Sequence, residues 1–237
     1  MKGFVAIFLA MFLAAPLTAA AGEPVDLELV LAADGSGSID DEELKLQRDG
    51  YAAALTHPRV LEAMTRGYRG AIALAFVEWG GPHSQHTIVD WMKIDGRAAA
   101  ERFAAKLRAA PRAAESYNSI SEAIAYSADL IATNAFDGQR RIIDISGDGP
   151  QINGRPLPAA KALAMAQGIT INALVINSPG GGYPGPRGEP LDEHYRNDVI
   201  GGRGAFVIVA EGRQGFAKAI LRKLILEIAD RDDVSGL

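Results

Sequence analysis

The chain has no cysteine and only 4 histidines in 237 residues. Disulfides, zinc thiolates, iron–sulfur clusters and thiol nucleophiles are therefore excluded. The imidazoles of His57, His83, His86 and His194 are scattered without ligand spacing, and they read as surface or packing residues. Any bound metal is accordingly expected on oxygen. Basic charge is also short: 24 Lys and Arg face 29 Asp and Glu, for a net charge of −5. A binder that grips nucleic acid regardless of sequence needs a basic face, so nucleic acid is not an expected partner. The chain has neither a Gly-rich phosphate loop carrying a Lys nor a G-x-S-x-G elbow, two common signatures of phosphate and ester chemistry.

What is present is globular. The chain is 48% hydrophobic and 22% charged, with a mean hydropathy of +0.04. A chain of this length can bury about 70% of its unfolded surface without disulfide or metal staples. Residues 1–21, MKGFVAIFLAMFLAAPLTAAA, carry Lys2, an apolar run from Gly3 to Ala15, Pro16 and an A-x-A pattern at Ala19 and Ala21. This is the order of a secretory signal peptide. The run is short for a membrane span. Cleavage near Ala21 is expected, leaving residues 22–237 as one domain without stable membrane insertion. An exported chain without cysteine suits a bacterial periplasm or secretion.

Strand and helix signals alternate along the mature chain. Val25–Ala33, Ala71–Trp79, His86–Ile94, Arg141–Ser146, Ile169–Ile176 and Ala205–Val209 read as strands. A helix opens at Ser38 or Asp40 and runs toward His57 and Pro58; others span Ala98–Leu107, Ser119–Ile131, Ala159–Gln167 and Leu191–Val199. A final helix carries the stripe Phe216, Ile220, Leu224 and Ile228. Such alternation predicts an α/β fold: an open, mostly parallel sheet of about six strands, helices on both faces. The short Gly80-Gly81-Pro82 turn makes one edge strand antiparallel. Asn177–Pro190 is a Gly/Pro loop exposing Tyr183 and Arg187, residue types enriched at interface hot spots.

Ligands of open parallel sheets bind at the carboxyl ends of the strands. At those ends stand Asp34-Gly-Ser36-Gly-Ser38 and Gly147-Asp148-Gly149, with Tyr117 and Asn118 just before the Ser119 helix. Two carboxylates with hydroxyl and amide oxygens form a shell suited to a hard divalent cation. Glu78, near a strand end on the same edge, is a candidate supporting group. The bland alternatives are turn and cap residues at Asp34, Ser36, Ser38 and Asp148, and a helix cap at Asn118.

The Asp34-x-Ser36-x-Ser38 pattern after a leading apolar strand, with Ser-Gly-Asp148-Gly after a later one, resembles the metal-ion-dependent adhesion site of von Willebrand factor type A domains. The stretches VEW (77–79), RRIIDISGDG (140–149), GITIN (168–172) and VIGGRGAF (199–206) are similar to a bacterial family of secreted proteins, built on this domain, without an assigned function. The resemblance implies a Rossmann-like fold and a cation, Mg²⁺ or else Mn²⁺ or Ca²⁺. It implies Ser36 and Ser38 as direct ligands and Asp34 and Asp148 as the carboxylates. The threonine of such sites falls on Asn118, a departure; Ser119 or Tyr117 are the substitutes. The implied function is adhesion-type protein binding, with the partner presenting an acidic residue to the metal. Two alternatives stand beside it: a metal-free interaction scaffold, and a secreted serine esterase using Ser36. The esterase reading is weakened because Asp192 lies two, not three, residues before His194. A phosphotransferase is disfavoured by Ala32, where a nucleophilic Asp would stand.

Overall fold

The computed structural model describes residues 22–177 and 183–229. The expected leader, residues 1–21, and part of the Gly/Pro loop, residues 178–182, lie outside the described residues. The chain runs β1 (Glu23–Asp34), α1 (Asp41–Leu55), α2 (Pro58–Arg66), β2 (Ile72–Trp79), β3 (Gln85–Ile94), α3 (Arg97–Ala109), α4 (Ile120–Thr133), β4 (Phe136–Gly147), α5 (Leu157–Ala166) and β5 (Ile169–Asn177). It continues through α6 (Leu191–His194), a π-helical turn (Tyr195–Val199), β6 (Val207–Glu211) and α7 (Gly212–Ile228).

The six strands pair in the order β3-β2-β1-β4-β5-β6. Every pairing is parallel except β2 with β3. The expected antiparallel edge is therefore β3, joined to β2 through the Gly80–Pro82 turn. β1 sits at the centre, where alternate residues serve opposite cores. Leu27, Leu29 and Leu31 pack with α1, α2, α3 and α7; Val30 and Ala32 pack with α4, α5 and Tyr195. β2 is buried along its whole length, as its unbroken apolar run anticipates.

Local chemistry accounts for the helix boundaries. Asp40 caps α1 through the Glu43 amide, and Glu43 returns a bond to the Asp40 amide, the reciprocal pairing of a capping box. Where the sequence shows a stop at His57-Pro58, the structure starts a second helix. His57 is the N-cap, its ring accepting from the Arg59 amide, and Pro58 stands in the first turn, where a missing N–H costs nothing. The β4 strand starts five residues earlier than expected, at Phe136, because its amino end pairs with Glu23–Val25. The last strand is displaced toward the C-terminus, to Val207–Glu211.

Parallel pairing brings the carboxyl ends of the strands to one edge. The β1–β2 register ends with Asp34 opposite Trp79, and the β1–β4 register with Ala33 opposite Ser146. Asp34 and the 147–149 loop thus emerge side by side.

Candidate metal centre

Asp34 is the last residue of β1. Its Oδ1 accepts from the Ser36 amide at 2.8 Å, which turns the chain back over the strand end. The Asp34 carbonyl accepts from Gln47 Nε2 of α1 at 2.9 Å. Ser36 Oγ and Ser38 Oγ lie 3.0 Å apart, and Ser38 Oγ donates to Asp148 Oδ1 at 3.0 Å. Asp34, Ser36, Ser38 and Asp148 therefore join in one hydrogen-bonded chain across 110 residues of sequence separation. Asp34, Ser36 and Asp148 are buried, while Ser38 is exposed at the mouth.

Asn118 borders this chain. A Cβ on Gly149 would collide with Asn118 Nδ2, so the amide packs against the loop that carries Asp148. The Asn118 carbonyl accepts from the Ile152 amide at 3.0 Å. Its side chain does not cap α4, whose N-cap is Ser119. The Ser119 hydroxyl donates to the Asn153 carbonyl at 2.6 Å. Tyr117 is exposed. Gly147 is equally crowded: a Cβ there would stand 2.7 Å from the Tyr195 hydroxyl and 3.2 Å from Asp34 Oδ2.

The electrostatics set this corner apart. Asp34 Oδ2 is buried and has no hydrogen-bond partner. Burial, then the charge of Asp148, pushes the Asp34 carboxyl up to about 7, against the pull of the Ser36 hydrogen bonds. Burial also raises Asp148, with the Ser38 hydroxyl opposing. Among the described residues, no Lys, Arg or His lies within ion-pair distance of either. Other buried carboxylates have cations. Glu78 pairs with Arg48 at 2.6 Å, so it braces α1 against β2 rather than serving the Asp34 corner. Glu28 accepts from Asn134 and the Gly138 amide and lies near Arg141.

Sequence reasoning missed three supports. Arg112 Nη2 donates to the carbonyls of Gly35, Ser36 and Ile39 at 3.1, 3.0 and 2.7 Å, clamping the Asp34–Ser38 turn. Gln47 holds the Asp34 carbonyl. Tyr195, fully buried, donates to the Gly149 carbonyl at 3.0 Å; burial beside Asp34 and Asp148 raises its phenol well above the ordinary value. Arg112 lies in an irregular stretch without a motif, so only the tertiary contact exposes it. His194 is buried, accepting from the Gln151 amide and bonded to Asp198: a packing residue with polar partners rather than a surface one.

Residues 24–232 match the family described as "Protein of unknown function (DUF1194)". The chain belongs to this family. No curated protein matches the DUF1194 chain by sequence. Among solved structures it is similar to the pilus adhesin SpaC of Lactobacillus rhamnosus GG, with TM-score 0.61 and 12% identity over 86% of this chain and 31% of that one. It is similar to proximal thread matrix protein 1 of the mussel byssus, described with a zinc-occupied MIDAS motif, with TM-score 0.61 and 12% identity over 86% and 46%. A von Willebrand factor type A protein of Catenulispora acidiphila gives TM-score 0.56 and 16% identity over 86% and 43%. The DUF1194 chain thus spans less than half the length of each. Its fold is that of a von Willebrand factor type A domain.

Proposed function

We propose that this domain is an exported, divalent-cation-dependent interaction module of the adhesion type. One observation carries the reading: Asp34 Oδ2 is buried without a hydrogen-bond partner and faces a second carboxylate with no protein cation among the described residues. Burying such a group costs several kcal/mol unless a charge compensates it. Asp34, Ser36, Ser38 and Asp148 supply carboxylate and hydroxyl oxygens, the donor set of Mg²⁺, Mn²⁺ or Ca²⁺. Asn118 adds an amide beside them. Similarity to the folds of a pilus adhesin and of a protein with a zinc-occupied MIDAS motif supports the same reading. The partner is a protein offering a carboxylate to the ion. Tyr183 and Arg187, both exposed in the loop that leaves β5, suit its flank. Export rests on residues 1–21; no helix among the described residues is long and apolar enough to cross a membrane.

The esterase reading loses its base. The Ser36 hydroxyl bonds to Ser38 and to no imidazole among the described residues, and the buried His194 is engaged with Gln151 and Asp198. A metal-free scaffold keeps one argument: with Asp34 raised to about 7, a proton can hold the two carboxylates together. Calorimetric titration of Mg²⁺ and Mn²⁺ into metal-stripped protein separates these readings. Saturable binding is expected, falling by at least about a hundredfold in Asp34→Ala and in Asp148→Ala. Both variants should stay folded, because each removal relieves like-charge repulsion. Cation binding equal to the parent in both variants sinks the site; no binding in the parent leaves the scaffold.

A further inference from the structure

A second group of donors stands between β5 and β6. Glu189, His194 and Asp198 each offer one donor atom, and these atoms lie within 4.8 Å of one another. The imidazole nitrogen is 2.8 Å from the Asp198 oxygen and 3.8 Å from the Glu189 oxygen. Ligands on a tetrahedral ion with bonds of ~2.0–2.1 Å sit ~3.3 Å apart, and the two separations straddle that requirement. His194 ends α6 and Asp198 lies in the π-helical turn, a distortion that recurs at functional sites. The His194 side chain is 2% exposed and that of Glu189 13%, so packing holds both. Glu189 Oε1 is buried and accepts no hydrogen bond, its contact with Arg187 being an ion pair. His194 and Asp198 line a cleft of about 760 Å³ together with Gln151, Met165 and Arg187, which gives an ion a route in.

One positive charge already serves these carboxylates. Arg187 Nη2 lies 3.0 Å from Glu189 Oε1 and 2.8 Å from Asp198 Oδ2. Its side chain is 61% exposed, so the guanidinium can swing into solvent. We propose that Glu189, His194 and Asp198 form a second metal site, for a transition ion of the Zn²⁺ type, and that the ion displaces Arg187. One imidazole nitrogen with two carboxylates matches Zn²⁺ or Ni²⁺ rather than Mg²⁺, whose preference is all-oxygen. The Gln151 amide donates to His194 Nε2 at 3.3 Å, which places the ring proton on Nδ1. Metal on Nδ1 puts the ring proton on Nε2, opposite the Gln151 N–H, and the ring can no longer accept from Gln151. Zinc binding therefore frees an amide three residues beyond Asp148.

The test uses tag-free, metal-stripped full chain held in saturating Mg²⁺, with ZnCl₂ titrated by calorimetry. One Zn²⁺ is expected to bind. Asp198→Asn should weaken it by at least about tenfold, and Arg187→Ala should tighten it several-fold, because no guanidinium has to leave. The Gln151 amide resonance should move with Zn²⁺ and not with Mg²⁺. Asp198→Asn keeps the test open if the buried His194→Ala variant fails to fold. The proposal is overturned if the Mg²⁺-saturated protein takes up no Zn²⁺. It is equally overturned if Zn²⁺ binds Asp198→Asn as tightly as the parent, or if binding vanishes in Asp34→Ala, which would put the zinc at the first site. An Asp34→Ala protein that has lost Mg²⁺ but still binds Zn²⁺ separates this site from the adhesion-type one.

Discussion

Two pairs of acidic side chains are buried against the same sheet, and the chain treats them differently. Asp144 of β4 and Glu227 of α7 enclose Lys223, which forms an ion pair with each; all three are fully buried. Asn172 donates to Glu227 at 3.1 Å and ties the group to β5. Asp34 and Asp148, at the carboxyl edge, have hydroxyls between them and no cation from the described residues. The first pair fastens α7 to the sheet with an internal charge. The second has the composition of a site that recruits its charge from solution. Burial raises carboxyls in both, Asp34 to about 7 and Glu227 to about 8. A raised pKa alone therefore does not mark a site; the source of the compensating cation does.

Removing the internal cation should have the largest effect. Lys223→Met strands two buried acids and should cost about 3–5 kcal/mol of stability, read from urea unfolding. Asp34→Ala, by contrast, should leave metal-free stability level or raised. If both variants lose the same amount, the two pairs are equivalent and the comparison fails.

The response to pH comes next. The Asp34 carboxyl binds its proton more tightly folded, at about 7, than at its ordinary 3.8. Between those values the folded state holds a proton that the unfolded chain has released. Metal-free stability due to this group is thus full below the lower value. It falls as pH rises toward 7 and is level above, with a slope of up to about 1.4 kcal/mol per pH unit. Cation affinity should run the opposite way and rise over the same range. Glu227 adds a slope of the same sign toward pH 8, so the informative quantity is the parent minus Asp34→Asn. Identical pH profiles for these two proteins would show that Asp34 does not carry the shift.

A smaller effect tests the clamp. Arg112→Ala frees three turn carbonyls and should weaken Mg²⁺ binding by about tenfold, at about 1 kcal/mol per hydrogen bond lost in part to water. Unchanged affinity would mean that the turn holds its shape without the guanidinium. The smallest effect is expected at Asn118. Asn118→Thr should keep or improve Mg²⁺ affinity and Asn118→Ala should lower it a few-fold; equal affinity in all three would reduce the residue to packing against Gly149.

Much of this was legible in the residues. The alternation of apolar strands with striped helices carried the fold, including the antiparallel β3 after Gly80–Pro82. Asp34-x-Ser36-x-Ser38 and Asp148 were visible because strand ends in a parallel sheet share an edge. α2 was not, since a Pro reads equally as a stop and as a first helical turn. Arg112, Gln47 and Tyr195 were invisible for a different reason. Each acts on a backbone carbonyl, and a carbonyl leaves no mark in sequence. The scattered spacing of the four histidines likewise hid the Glu189–His194–Asp198 group, since it carries a single imidazole and Glu189 reaches it from the Gly/Pro loop that precedes α6.

Sequence by itself determined which side chains carry charge, which segments are strands, and that no thiol and few imidazoles are available. Hydrophobic periodicity is a local property, so it can be read locally, whereas the amino end of β4 was set by pairing with β1. Only the tertiary structure decided which acids have an internal cation and which do not. Lys223 lies 79 residues beyond Asp144, and whether it reaches that carboxylate or Asp34 depends on which face of β4 receives α7. Charge compensation in a buried site is a property of distance in space, and the order of residues does not contain that distance.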